Sequence, residues 1–160
     1  MNGPVLDVRG LSVSYQTEQG PLQALRDVSL AIPEGKIIGI VGESGCGKST
    51  LISAIIRLLA PNARIAGGSV FFKGKDLLGL SPEQMRRLRG DEISMVFQDP
   101  MTSLNPVLTI GRQMADIQHR STARRTGKKA RSLMMLERVG IPDAATQLHR
   151  YPHQLSGGMC

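Results

Sequence analysis

The chain has 160 residues, with 20 Lys+Arg against 13 Asp+Glu and a formal net charge of +7. Hydrophobic residues at 41% and charged residues at 21% are ordinary for a globular chain. Two cysteines exclude a disulfide scaffold. No apolar run approaches the roughly 20 residues that span a bilayer, because the longest, Leu51 to Ala60, is short and interrupted by Arg57. The first ten residues lack a basic segment followed by an apolar core, so no signal peptide is expected. A cytosolic chain follows as the expectation, with any membrane association made through a partner or a surface.

Taken in chain order, strands and helices alternate. Val5 to Tyr15 reads as a strand-pair region with partial alternation, and Asp27 to Ile32 as a second strand closed by the turn Pro33-Glu34-Gly35. Lys36 to Val41 is a short apolar run bounded by glycine and reads as a strand buried on both faces. A glycine-rich loop comes next, then an apolar helix running to about Leu59 and stopped by Pro61. Ser69 to Lys73 is a strand turned at Gly74. Ser81-Pro82-Glu83-Gln84 has the residues of a helix start: a capping serine, a proline in the first turn and a glutamine placed for a capping box. Ile93 to Phe97 reads as a further strand. Ile110, Met114 and Ile117 are spaced as on a helix, and so are Leu133, Leu136 and Val139. The fold expected is α/β, with residues 1–98 strand-rich and about 99–160 helical. A helical subdomain on one α/β core fits this better than two independent domains.

The positive charge is concentrated. Arg120, Arg124, Arg125, Lys128, Lys129 and Arg131 lie in a stretch without an acid, and the rest of the chain is nearly neutral. Such a cluster can contact nucleic acid or anionic lipid. A solvated helix face is the simpler reading, since no aromatic residue is interleaved for base stacking.

Gly42-Glu43-Ser44-Gly45-Cys46-Gly47-Lys48-Ser49-Thr50 carries the sharpest chemistry. It satisfies G-x-x-x-x-G-K-[ST] at every fixed position. Glycines let the backbone curl so that successive N–H groups face a phosphate. A helix starting near Lys48 adds its positive N-terminal end. Lys48 supplies a point charge for the β- and γ-phosphates, and Ser49 a hydroxyl for Mg²⁺. With a strand before it and a helix after it, the loop predicts nucleoside triphosphate binding. Cys46 stands inside this loop, where alkylation would block nucleotide, although a tolerated small residue is the plainer reading.

A second feature is Leu155-Ser156-Gly157-Gly158-Met159, preceded by Phe97-Gln98-Asp99-Pro100. Alone, Ser-Gly-Gly is a weak turn signal. Together with the phosphate loop, the sequence resembles the ATP-binding subunits of ABC transporters along its whole length. The segments from Phe97 to Pro106, from Val139 to Asp143 and from Tyr151 to Met159 look like the subgroup serving dipeptide, oligopeptide and nickel importers. Met159 departs from that pattern, where glutamine is more usual.

The resemblance implies a phosphate-loop ATPase core with an antiparallel β subdomain and a helical subdomain, incomplete at its C-terminus. It implies ATP and Mg²⁺ as ligands. The amides from Ser44 through Gly45, Cys46, Gly47 and Lys48 to Thr50 would hold phosphates, with Gly42 opening the loop. Tyr15 would stack on adenine, an ordinary strand aromatic being the alternative. Gln98 would reach Mg²⁺ and the attacking water and sense membrane-spanning subunits. Ser156, Gly157 and Gly158 would contact ATP held by a second ATP-binding subunit in a head-to-tail dimer. The implied place is the cytoplasmic face of the membrane, as a peripheral subunit, with nucleic acid not expected as a partner.

Hydrolysis in that family needs an apolar strand ending in Asp followed by a catalytic Glu, and a downstream histidine. Neither is found in these residues. Ile93 to Asp99 runs into Pro100, Leu133 to Glu137 reads as helix, and His119, His149 and His153 all precede the Ser-Gly-Gly motif. Pro152 also separates His149 from His153 and argues against a metal face. These 160 residues alone are therefore expected to be deficient in hydrolysis, with the Lys36–Val41 strand left without a neighbour. The alternatives are a nucleotide-binding module that pairs with an intact subunit, or a soluble ABC ATPase acting on nucleic acid.

Overall fold

β1 (Leu6–Thr17) turns tightly through Glu18 and Gln19 into β2 (Gly20–Ile32), and the two pair antiparallel from Leu6↔Ile32 to Thr17↔Gly20. The computed structural model describes residues 3–97, 103–119, 121–156 and 158. The alternation in β1 is only partial because the strand bulges. Both of its ladders shift register around Arg9 to Ser12. The extra residue brings Val8, Leu11 and Val13 to the same buried side despite their uneven spacing. Opposite the bulge, Gly68 has φ +93°, and a Cβ there would lie 2.6 Å from the carbonyl oxygens of Arg9 and Gly10. Only glycine lets the third strand approach so closely.

That strand is β3 (Ala63–Phe72), antiparallel to β1, and the two-residue β4 (Lys75–Asp76) pairs with its end. The sheet order is β2-β1-β3-β4. Short turns join β1 to β2 and β3 to β4, whereas β1 and β3 pair across the intervening phosphate loop and α1.

α1 (Lys48–Ile55) buries Leu51, Ala54 and Ile55, and lies against β1 and β2. It is shorter than expected because Arg57 leaves the helix at φ +54°. The Arg57 guanidinium then donates to the carbonyls of Leu77 and Leu80, while Arg89 reaches the carbonyls of Ile56 and Arg57. The charge that interrupts the apolar run thus ties the end of α1 to a distant loop. α2 (Pro82–Asp91) begins with the expected box: the Gln84 amide donates to Ser81 Oγ at 3.2 Å and the Ser81 amide to Gln84 Oε1 at 2.8 Å. Its helical geometry breaks at Arg89 and Gly90.

Two expected strands do not form. Lys36 to Val41 is in no regular structure, with Ile37 fully exposed and Val41 96% exposed. A buried parallel strand needs hydrogen-bonding neighbours and cover on both faces, and no described strand pairs with this segment. Ile93 makes an isolated bridge with Arg89, and Ser94 to Phe97 has no regular structure, with Val96 92% exposed. The same lack of a neighbour explains it.

The chain divides into two compact units, residues 1–94 and 95–160. The second contains α3 (Ile110–Asp116), α4 (Arg125–Arg138), the short α5 (Ala144–Gln147) and a 3₁₀ turn at Pro152–Gln154. Thr109 caps α3 by accepting from the Arg112 amide at 3.3 Å. The first amides of α3 donate to the carbonyls of Arg150 and Leu148 at 2.9 and 2.8 Å. Ile110, Ala144 and Leu148 are buried, whereas Ile117 and Val139, which share the expected apolar spacing, are exposed. Both fall at C-caps, where the helical face ends. Among the described residues no helix is long and apolar enough to cross a membrane.

Candidate functional site

The phosphate loop runs from Gly42 into the first turn of α1. Gly47 is its pivot. It precedes the helix at φ +98°, and a Cβ there would meet the Ala24 carbonyl oxygen and Leu25 Cδ2, each at 2.8 Å. Glycine is required twice over, for the left-handed backbone and for the close approach of β2. The wall formed by Ala24 and Leu25 was not visible in the sequence, where nothing marks residues 20–26 as strand facing this loop.

Gly42, Glu43, Ser44, Gly45, Cys46 and Ser49 are exposed, and Gly47, Lys48 and Thr50 are half-buried. The Lys48 ammonium folds back over the loop and donates to the carbonyls of Gly42 at 2.8 Å and Glu43 at 2.6 Å. Its remaining proton faces Cys46 Sγ at 3.5 Å. Lysine has three donors and no acceptor, so all three directions are taken by the loop itself. A phosphate oxygen approaching Lys48 would most easily replace the Cys46 sulfur, the longest of the three contacts. A Cβ on Gly42 would lie 2.7 Å from that sulfur, so Gly42 and Cys46 share one tight space.

Ser49 presents its side chain on the exposed first turn of α1. A hard hydroxyl oxygen on an open helix start suits Mg²⁺, which keeps few protein ligands and fills its shell with water and phosphate. Among the described residues, no group of three or more His, Cys, Asp or Glu side chains could hold a metal ion by itself.

Tyr15, on β1, is half-buried, and its hydroxyl lies 3.3 Å from Thr50 Oγ1 on α1. The strand aromatic and the phosphate-loop helix are thus brought together within the first unit, across 35 residues of chain. Nothing in the sequence spacing announced this contact.

Gln98 and Gly157 lie outside the described residues. Ser156 and Gly158 are exposed in the second unit, and Leu155 is half-buried. The segment before them is fixed locally: the Leu155 amide donates to the Pro152 carbonyl at 3.0 Å, and the Tyr151 and His153 rings stack at 5.7 Å.

Residues 25–160 match the ABC transporter family. The chain belongs to that family. It is 48% identical over 158 residues to the dipeptide transport ATP-binding protein DppD of Bacillus subtilis, covering 97% of this chain and 47% of that protein. It is 45% identical over 157 residues to the DppD protein of Lactococcus lactis, covering 97% of this chain and 45% of that one. It is also similar to a probable peptide ABC transporter ATP-binding protein of Sinorhizobium fredii, at 47% identity with 97% and 47% covered. This ABC family chain spans about half the length of the curated relatives it matches. Among solved structures it resembles the ATP-binding cassette MJ0796 in a dimeric post-hydrolysis state bound to ADP and Pi, with TM-score 0.81, 26% identity, and 96% of this chain and 64% of that one covered. Its fold is that of part of an ABC ATPase cassette: an α/β arrangement with an antiparallel sheet and helices.

Proposed function

We propose that this chain is the ATP-binding part of an ABC importer subunit that couples ATP binding and hydrolysis to peptide uptake. The observation that carries the proposal is the loop from Gly42 to Thr50 entering α1 at Gly47, with Lys48 held over it. Peptide as the cargo class rests on the printed names of the relatives. In this reading the amides from Ser44 to Thr50 and the Lys48 ammonium bind the triphosphate, aided by the positive start of α1. Tyr15 offers its ring to adenine, steadied through Thr50. Ser49 holds Mg²⁺, which when bound neutralises phosphate charge and orients the triphosphate. Gln98 positions water, and Ser156 with Gly158 meets ATP held by a second subunit. Membrane-spanning subunits anchor the assembly at the cytoplasmic face.

A second reading is favoured by the exposed Lys36–Val41 segment. These 160 residues bind nucleotide without turning it over and act by pairing with an intact subunit. One experiment addresses both. Mg-ATP binding and hydrolysis are measured for this chain and for Lys48→Ala. Saturable binding weakened at least tenfold by Lys48→Ala is expected. Equal binding by the two chains would reject the phosphate-loop assignment. Turnover by the parent that Lys48→Ala abolishes would reject the second reading, and binding without turnover would reject catalysis by these residues alone.

A further inference from the structure

The second unit contains an open cavity of about 610 Å³ between α3 and α4, lined also by Leu148 and His149. That volume lies within the range of small-molecule sites, roughly 300–1,000 Å³. It is remote in sequence from the phosphate loop and uses none of its residues.

The floor is fixed. Ser132 is 1% exposed, and its hydroxyl donates to the Lys128 carbonyl at 3.0 Å while accepting from Gln118 Nε2 at 3.0 Å. The same Gln118 amide reaches the carbonyl of Met114, 2.9 Å away. This network ties α4 to α3. Gly111 seats α3 against the chain at Leu148, where a Cβ would lie 2.7 Å from the Leu148 carbonyl oxygen.

The rim is cationic. Arg125, Lys128 and Lys129 line the cavity, and none of them has an ion-pair partner among the described residues. Arg112 is there too, but Asp116 neutralises it at 3.0 Å. Lys129 Nζ and His149 Nε2 are 3.5 Å apart, so an ammonium and an imidazole already converge on one spot. Three uncompensated cations around one concave site hold a standing positive potential, which an anion of complementary size relieves. Phosphate oxygens suit this mixture of one planar fork and two point charges.

We propose that this cavity binds a phosphate- or pyrophosphate-bearing small anion, a second anion site separate from the phosphate loop. Arg125, Lys128 and Lys129 are its binding residues. His149 is a hydrogen-bonding group beside Lys129, and the Ser132–Gln118 network is the support of the site. Among the described residues no Phe, Tyr or Trp lines the cavity, which argues against stacked bases.

The test uses the whole chain with Lys48→Ala, so that the phosphate loop does not report. Inorganic pyrophosphate is titrated at 150 mM salt, where screening over about 8 Å suppresses diffuse surface binding. The His149 ring and the Lys128 and Lys129 amides are followed by NMR. A saturable shift confined to these signals is expected. Arg125→Ala with Lys129→Ala should weaken it at least tenfold, and Lys129→Arg should keep it. A parallel arm sediments the chain with phosphatidylglycerol or phosphatidylcholine vesicles. Pyrophosphate binding with no vesicle binding assigns a soluble phosphate. Binding to anionic vesicles that pyrophosphate displaces assigns a lipid headgroup, and the shared chemistry stands in both cases. A linear, unsaturated shift, or one unchanged in the double variant, overturns the proposal. Binding of duplex DNA a hundredfold tighter than pyrophosphate through the same residues overturns it in favour of nucleic acid.

Discussion

Two stretches that both carry large apolar side chains have opposite fates in the first unit. In β1, Val8, Leu11 and Val13 are at most 1% exposed, flanked by β2 on one side and β3 on the other. Lys36 to Val41 is more apolar, yet Ile37 is 100% exposed and Val41 96%. Side-chain hydrophobicity therefore does not decide burial here. The availability of a neighbour does: β1 has a hairpin partner two residues away, while no described strand lies beside residues 36–41. An apolar segment without such a neighbour is an adhesive edge. It is also the chain leading directly into the phosphate loop.

The largest effect that would break this comparison is in the core. Leu11→Ala should cost about 2–5 kcal/mol of unfolding free energy, as for other buried leucines, whereas Ile37→Ala should change it by no more than about 0.5 kcal/mol. Chemical denaturation of both variants measures the pair. A matching loss from Ile37→Ala would mean that the segment is covered in solution.

Next is the pivot of the loop. Gly47→Ala forces a side chain into left-handed backbone, which costs about 1–2 kcal/mol, and displaces the Ala24 carbonyl. Mg-ATP affinity should fall together with stability, and calorimetry on Gly47→Ala reads both. Retained affinity would show that the phosphate loop does not need its seat on β2.

A smaller effect sharpens the role of local signals. Ser81→Ala removes one arm of the α2 capping box and should cost about 1 kcal/mol. A Gln84→Ala change removes the other arm, and the two losses should not add fully, because the bonds are reciprocal.

The smallest concerns charge. Arg86 and Arg87 donate to Glu83 and hold its carboxyl below the ordinary value of 4.5. A depressed folded pKa contributes stability above the unfolded pKa and loses it as pH falls through the folded one. The pair is exposed, so the contribution is small. A carboxyl-detected NMR titration should place the Glu83 midpoint below 4.5, and Arg86→Ala should move it upward.

The capping box, the turn at Glu34 and Gly35 and the helix start at Gly47 were legible because each depends on neighbours in sequence. The hairpin from residue 16 to 26 was missed, since Glu18-Gln19 is not a glycine turn and the strand beyond it alternates poorly. The bulge in β1 hid its alternation, and Gly68 explains it only once β3 is known to lie opposite. The strands expected at residues 36–41 and 93–97 failed because hydrophobicity states a demand for burial without supplying the partner.

By itself, the sequence determined the phosphate loop, the start of α2, the concentration of cations along α4 and the membership of a family, because motifs and caps are set by residue type at fixed spacing. Only the tertiary structure decided that Tyr15 touches Thr50, that Arg57 anchors the end of α1, and that three cations of α4 border a cavity with His149. Those contacts join residues 20 to 35 positions apart, and the chain must be folded before their charges and hydroxyls can meet.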